Sequence, residues 1–120
     1  TLFSLGCGRI FEGTYEQMLN SLNLLKTFPK HTKIYCGHEY TLKNSEFCLK
    51  NDKENLKLKE KIILIKEKLN HGAPTIPSTI KEELECNIFL RPDNELIQKN
   101  LNTSNELDTF SKLRDLKDIF

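Results

Sequence analysis

A change of pattern at Thr41 constrains this chain more than any other feature. From there on, apolar residues recur three and four apart, the spacing that lines one face of a helix. The pattern breaks only where proline or glycine stops a helix from continuing. Thr41–Leu49 predicts one helix and Lys53–Asn70 a longer one, with Leu58, Ile62, Ile65 and Leu69 on one stripe. His71 and Gly72 supply its C-terminal stop. Ala73–Ser78 carries two prolines and predicts an extended crossing segment, because proline drives the residue before it out of helical geometry. Thr79 caps a short helix ending near Cys86, and Asn87–Pro92 is a second break. Asp93 restarts a helix to about Asn100, Leu101–Asn105 reads as loose, and Glu106–Phe120 closes the chain as a last helix.

Ahead of Thr41 the pattern differs. Leu2–Leu5 is a short apolar run ending at Gly6-Cys7-Gly8, which reads as a buried strand entering a tight loop. Thr14-Tyr15-Glu16-Gln17 is a capping box, since the Thr and Gln side chains can each satisfy a free N–H of a first turn. Tyr15, Met18, Leu19, Leu22 and Leu25 follow at helical spacing, and Pro29 closes that helix. Lys33–Cys36 is a second strand candidate, ended by Gly37. Strand, helix, strand is the order of a layered α/β body. No internal repeat is present.

The 120 residues and 14.0 kDa suit one domain or a piece of a larger one. With 18 basic and 17 acidic residues the net charge is +1, which gives no electrostatic case for nucleic acid or an anionic membrane as partner. No apolar run approaches the roughly 20 residues of a membrane span. The chain opens without an initiator Met or a signal peptide, on what reads as a strand already under way, so a fragment is expected. Cys7, Cys36, Cys48 and Cys86 match neither a CxxC knuckle nor a disulfide framework; reduced, mostly buried thiols in a cytoplasmic protein are expected. The many Lys and Asn residues across 50–70 and 94–105 read as a codon-level bias rather than a binding patch.

Three clusters could carry chemistry. Cys36-Gly37-His38-Glu39-Tyr40 lies just past a strand end, where α/β sites assemble, and its imidazole can ligate a metal or act as a base. The blander alternative is a turn whose His and Tyr bond locally. Gly6–Gly13 holds three glycines and Arg9, which could reach an anion. It lacks the dinucleotide and P-loop spacings, and a structural loop is the alternative. Arg114 and Lys117, three apart, could clamp a carboxylate from one helix face, or form surface ion pairs with Asp115 and Asp118. Cys36 and His38 flank a Gly turn, which makes a thiol–imidazole pair doubtful, and His38 alone is a good zinc-ligand candidate. His31 and His71 sit in no ligand pattern.

Taken together, these pieces resemble the C-terminal half of hydroxyacylglutathione hydrolase, the glyoxalase II branch of the metallo-β-lactamase superfamily. The resemblance rests on Thr1–Phe3, Gly6–Arg9, Phe11–Thr14, Met18, the run Tyr35–Thr41, Pro74–Thr79, Asn87, Phe89–Arg91, Arg114 and Lys117-Asp118. It implies an α/β fragment over residues 1–50, namely two strands and a helix from the second half of an αββα sandwich. A mostly helical glutathione-binding domain would follow over residues 51–120. It also implies a two-metal thioester hydrolase, zinc with iron or manganese as variants, that splits S-D-lactoylglutathione to glutathione and D-lactate in methylglyoxal detoxification. By position, His38 matches a metal ligand, Arg9 a basic residue on the glutathione backbone, and Tyr40 a glutathione contact beside the metal. Arg114 and Lys117 match the pair on the glycine carboxylate of glutathione. Phe11 stands where the family often has Tyr, so a hydroxyl contact is absent.

The family's T-H-x-H-x-D-H motif, its middle His and its bridging Asp would lie upstream of Thr1. One ligand cannot hold two metals, so the chain alone is expected to be inactive, with an uncovered apolar face and an N-terminal half-chain as a candidate partner. The competing readings are a non-catalytic helical module that binds glutathione-type ligands or another protein, and a Cys/His zinc or thiol site within the chain.

Overall fold

A computed structural model describes every residue from Thr1 to Phe120. Its first feature differs from the sequence reading. Leu2–Phe3 (β1) does not run on into a loop; it reverses at Ser4-Leu5 and pairs antiparallel with Gly6–Cys7 (β2). The reversal needs Leu5 at φ 59°, a left-handed conformation that side chains disfavour, and Leu5 is wholly buried there. Gly6 is required for a different reason: a Cβ would sit 2.6 Å from the Asn44 amide nitrogen. Alternation of apolar residues could not announce a hairpin whose strands are two residues long.

The chain then forms α1 (Tyr15–Leu25), begun by the expected capping box of Thr14 and Gln17. Lys33–Ile34 (β3) pairs antiparallel with Ser78–Thr79 (β4), the end of the segment read as an extended crossing. The two strands expected from sequence therefore do not pair with each other. Each belongs to its own two-stranded ribbon, and the body is mostly helical. The remaining elements are α2 (Thr41–Asn51), α3 (Leu56–Asn70), α4 (Ile80–Cys86), a 3-10 turn at Ile88–Leu90, α5 (Glu95–Leu101) and α6 (Glu106–Asp118). Leu101, read as loose, is the buried last residue of α5, and Asn102 at φ 56° ends that helix. Three of the asparagines in the Lys- and Asn-rich stretches also serve the fold. Asn55, Asn94 and Asn105 each accept a backbone N–H at the start of α3, α5 and α6.

One core joins the hairpin to all six helices through residues such as Leu5, Leu22, Phe47, Ile65, Phe89, Ile97 and Phe110. Phe47 stacks on Phe89 at 5.7 Å, and Phe110 meets Phe89 edge-on at 6.1 Å. All four cysteines are free, and Cys7, Cys48 and Cys86 are buried. Burial pushes the thiols of Cys48 and Cys86 up to about 12, as befits packing groups. No helix is long and apolar enough to cross a membrane. An open groove of about 420 Å³, lined by Leu2, Phe3, Leu25, Phe28, Ile34, Tyr35 and Ile80 among others, leaves an apolar face at the ribbon side of the molecule.

The hairpin turn is held from outside. Glu83 of α4, itself wholly buried, accepts the Leu5 N–H at 2.8 Å, and burial pushes its carboxyl pKa up. Asn87 Nδ2 lies 3.0 Å from Gly6 O and 3.3 Å from Phe3 O, and Asn44 Nδ2 donates to Ser4 O at 3.1 Å. Asn87→Ala should therefore destabilise the fold by roughly 2–6 kcal/mol, because two shielded carbonyls lose their donor at ~1–3 kcal/mol each. Chemical denaturation checks this. A loss below about 1 kcal/mol would mean that the turn holds itself.

Candidate functional site

The polar clusters converge because three connections meet at one end of the hairpin. After β3 the chain passes Gly37 and turns at His38-Glu39-Tyr40 into α2. Glu39 fixes that turn, accepting the Thr75 N–H at 3.0 Å and the Thr75 hydroxyl. Partial burial works against its charge, but hydrogen bonds from Thr75 and Thr41 outweigh it and hold the carboxyl below its ordinary pKa. With Glu39 tied inward, His38 and Tyr40 lie on the other side as a stacked pair, centroids 4.9 Å apart and planes 16° apart. Phe3 joins them, 5.6 Å from Tyr40 and 6.3 Å from His38.

The second wall comes from β2 and α6. Arg114 is 3% exposed, and its guanidinium faces the end of the hairpin. Nη1 donates to Cys7 O at 2.5 Å and reaches Gly8 O and Cys7 Sγ at 3.3 Å; Nη2 bonds Asp118 at 2.9 Å. The same group lies over the Phe89 ring at 5.2 Å, and Nε has no partner. Arg9 reaches Asp118 from outside at 3.8 Å. Tyr15 bonds Asp115 through its hydroxyl. Arg114 forms the expected ion pair with Asp118, buried on the arginine side rather than at the surface, and it also lines a cavity.

That cavity measures about 570 Å³ and is lined by Arg9, Phe11, His38, Tyr40, Arg114 and Lys117, with Phe3, Cys7, Gly8, Lys43 and Asn44. All six residues singled out from sequence thus share one space. Sequence reasoning missed Lys43 and Asn44. Lys43 carried a faint signal, because a lysine in the first turn of a helix opposes the positive end of the helix dipole. Asn44 carried none, since its task depends on a turn 40 residues away.

The site is strongly electropositive. Arg9, Lys43, Arg114 and Lys117 line the space, and Asp118, which pairs with Arg9 and Arg114, does not line it. Lys43 and Lys117 have no acidic partner within ion-pair distance. Desolvation, together with the charges of Arg114, Lys43 and Arg9, pushes the Lys117 pKa down despite Asp118. Burial pushes the Cys7 thiol up, against the pull of Arg114. The Cys36 thiol bonds the His38 carbonyl at 3.5 Å rather than its ring. No group of three or more His, Cys, Asp or Glu side chains converges to hold a metal ion. The arrangement is suited to binding an anionic ligand beside an imidazole. His71 lies elsewhere, with Nδ1 against Glu67 O at 2.8 Å.

A family model described as hydroxyacylglutathione hydrolase C-terminus matches residues 39–120. The chain is similar to a hydroxyacylglutathione hydrolase of Pelagibacter ubique, 62% identical over 120 residues, covering 100% of this chain and 45% of that protein. It is 47% identical over 119 residues to an Arabidopsis thaliana protein named hydroxyacylglutathione hydrolase cytoplasmic, covering 98% of this chain and 46% of the relative. A hydroxyacylglutathione hydrolase of Rippkaea orientalis is 48% identical over 120 residues, 47% of its length. The chain spans about half the length of the curated relatives it matches.

Crowding of like charge makes a measurable statement about Lys117. Its ammonium should titrate below an ordinary lysine, and Lys43→Gln should move it back upward by removing one neighbouring cation. Side-chain NMR across an alkaline pH series reads both effects. An unmoved Lys117 in the variant would show that Lys43 does not share its field.

Proposed function

The chain belongs to the hydroxyacylglutathione hydrolase C-terminus family, and on that premise we propose that it supplies the glutathione-holding wall of a thioester hydrolase. The proposed reaction is hydrolysis of S-D-lactoylglutathione: water adds to the acyl carbon, the C–S bond breaks, and D-lactate and glutathione leave. In this reading residues 1–50 belong to a metallo-β-lactamase-type αββα sandwich and residues 51–120 to the helical domain. The apolar groove on the ribbon side is then where the rest of the sandwich packs. The observation that carries the proposal is the single cavity joining Arg9, Phe11, His38, Tyr40, Arg114 and Lys117.

Each residue then has a task that follows from its placement. Lys117, an unpaired cation on the cavity wall, takes the glycine carboxylate of the tripeptide. Arg114 contributes whatever donor capacity its bonds to Cys7, Gly8 and Asp118 leave free. Arg9, exposed beside Asp118, reaches the peptide backbone of the ligand. Phe11, 88% exposed, offers an apolar lid without a hydroxyl. Tyr40, stacked on His38, contacts glutathione and sets the imidazole's orientation, so the thioester of a bound conjugate lies toward His38.

The family resemblance also implies two divalent metals, and the residues present do not make such a site. His38 is one ligand candidate, and no further ligating side chains gather with it. What this chain's residues can be assigned is binding and orientation. The 120-residue chain should therefore bind a non-hydrolysable conjugate such as S-methylglutathione yet release no glutathione from S-D-lactoylglutathione. Lys117→Ala should weaken binding about five- to tenfold, the range of one charge-assisted contact near a surface. Calorimetry reads the first result and a thiol assay the second. Zinc-dependent turnover lost in His38→Ala would overturn the division of labour, and unchanged affinity in Lys117→Ala would overturn the glycine clamp.

A further inference from the structure

Lys43 is the cavity residue that none of these assignments uses. It is exposed, lines the same space as Lys117 and Arg114, and has no carboxylate within ion-pair distance. Its place in the fold does not favour it either. It sits in the first turn of α2, where the helix dipole is positive, where no acidic residue offsets it, and where Tyr40 gives no side-chain cap. Its charge also falls on Lys117 and helps to depress that ammonium's pKa. Neither the helix nor the surrounding side chains gain from a cation at position 43. An anion from outside the chain would.

Counting charge indicates what that anion is. Arg9 and Arg114 share Asp118, which leaves Lys43 and Lys117 as two ammonium groups facing one cavity. A ligand with one carboxylate can settle at Lys117 and leaves Lys43 unpaired. A tripeptide conjugate of glutathione carries a second carboxylate at its γ-glutamyl end, next to an α-ammonium that points to solvent in this arrangement, and separated from the first by the length of the peptide. A cavity of about 570 Å³ is within the size range of small-ligand sites. We propose that Lys43 is a ligand-binding residue that takes this γ-glutamyl carboxylate, so that the cavity selects conjugates with two carboxylates over those with one. The proposal rests on the glutathione reading and adds a residue and a selectivity to it.

Three ligands test it on the full chain: S-methylglutathione, its analogue lacking the γ-glutamyl α-carboxylate, and its glycinamide analogue. Lys43→Gln should weaken S-methylglutathione about three- to fivefold, the scale of an exposed ion pair, and Lys43→Arg should keep the affinity. The loss should vanish with the analogue lacking the γ-glutamyl carboxylate and persist with the glycinamide. Equal affinity in wild type and Lys43→Gln, with Lys117→Ala still weakened, would overturn the role of Lys43 alone. A loss that vanishes with the glycinamide instead would overturn the assignment by placing Lys43 on the glycine end. Failure of the wild-type chain to bind any of the three would overturn the glutathione reading together with this proposal.

Discussion

The reversal at Ser4-Leu5-Gly6 is the constraint on which the rest of this structure depends. Two-residue strands have too few ladder bonds to hold a hairpin, and the turn adds a buried leucine in a disfavoured conformation. Its backbone polar groups are shielded from water, so each must find a partner or leave a cost of ~1–3 kcal/mol. The partners come from far along the chain. Asn44 and the Cys48 thiol of α2 reach Ser4 O and Leu5 O; Glu83 of α4 takes the Leu5 N–H; Asn87, just past α4, serves Gly6 O and Phe3 O. The first seven residues are thus shaped largely by side chains belonging to two helices and the turn after them.

That dependence carries the basic cavity with it. Arg114 is buried, and a buried guanidinium needs its donors matched. Cys7 O and Gly8 O match Nη1 because the hairpin presents them toward α6, and Asp118 takes Nη2 one helical turn further on, which leaves Nε alone without a partner. The carbonyls position the arginine, the arginine anchors α6 to the hairpin, and Lys117 is thereby set on the same wall. Lys117 keeps its amine close to three other cations, an arrangement that the ligand-free molecule has no use for. The site's electrostatic strain and the fold's internal order come from the same helix.

The residues that line the cavity were easier to pick out of the sequence than the fold was. The helices after Thr41 followed from apolar spacing, and Thr14, Gln17 and Thr79 from their capping chemistry, because those signals are local. His38, Tyr40, Arg9, Phe11, Arg114 and Lys117 were found as clusters, although nothing local could show that they share one cavity. Both ribbons escaped, since pairing Lys33–Ile34 with Ser78–Thr79 spans over 40 residues and leaves no alternation in strands so short. Glu83 and Asn87 escaped as well. A buried glutamate in a lysine- and glutamate-rich helix looks like any solvated charge until the backbone N–H it accepts is seen. Asparagine likewise carries no mark that separates a helix cap from a surface filler.

The site divides into a braced half and a loose half, and that division bears on how it recognises a ligand. Arg114, Cys7 and Asn44 are buried and bonded before anything binds, so they lose little freedom when a ligand arrives. Arg9, Phe11, Lys43 and Tyr40 are exposed, and the long flexible ones among them must be ordered by the ligand itself. Contacts of the second kind contribute modest affinity one at a time and depend on salt. They do well at reading charge and its spacing across a flexible ligand. A cavity built this way positions one end of its ligand firmly and reads the other end electrostatically. Such a division favours ligands that share one constant charged end, because the braced half fixes that end while the loose half tolerates variation beyond it.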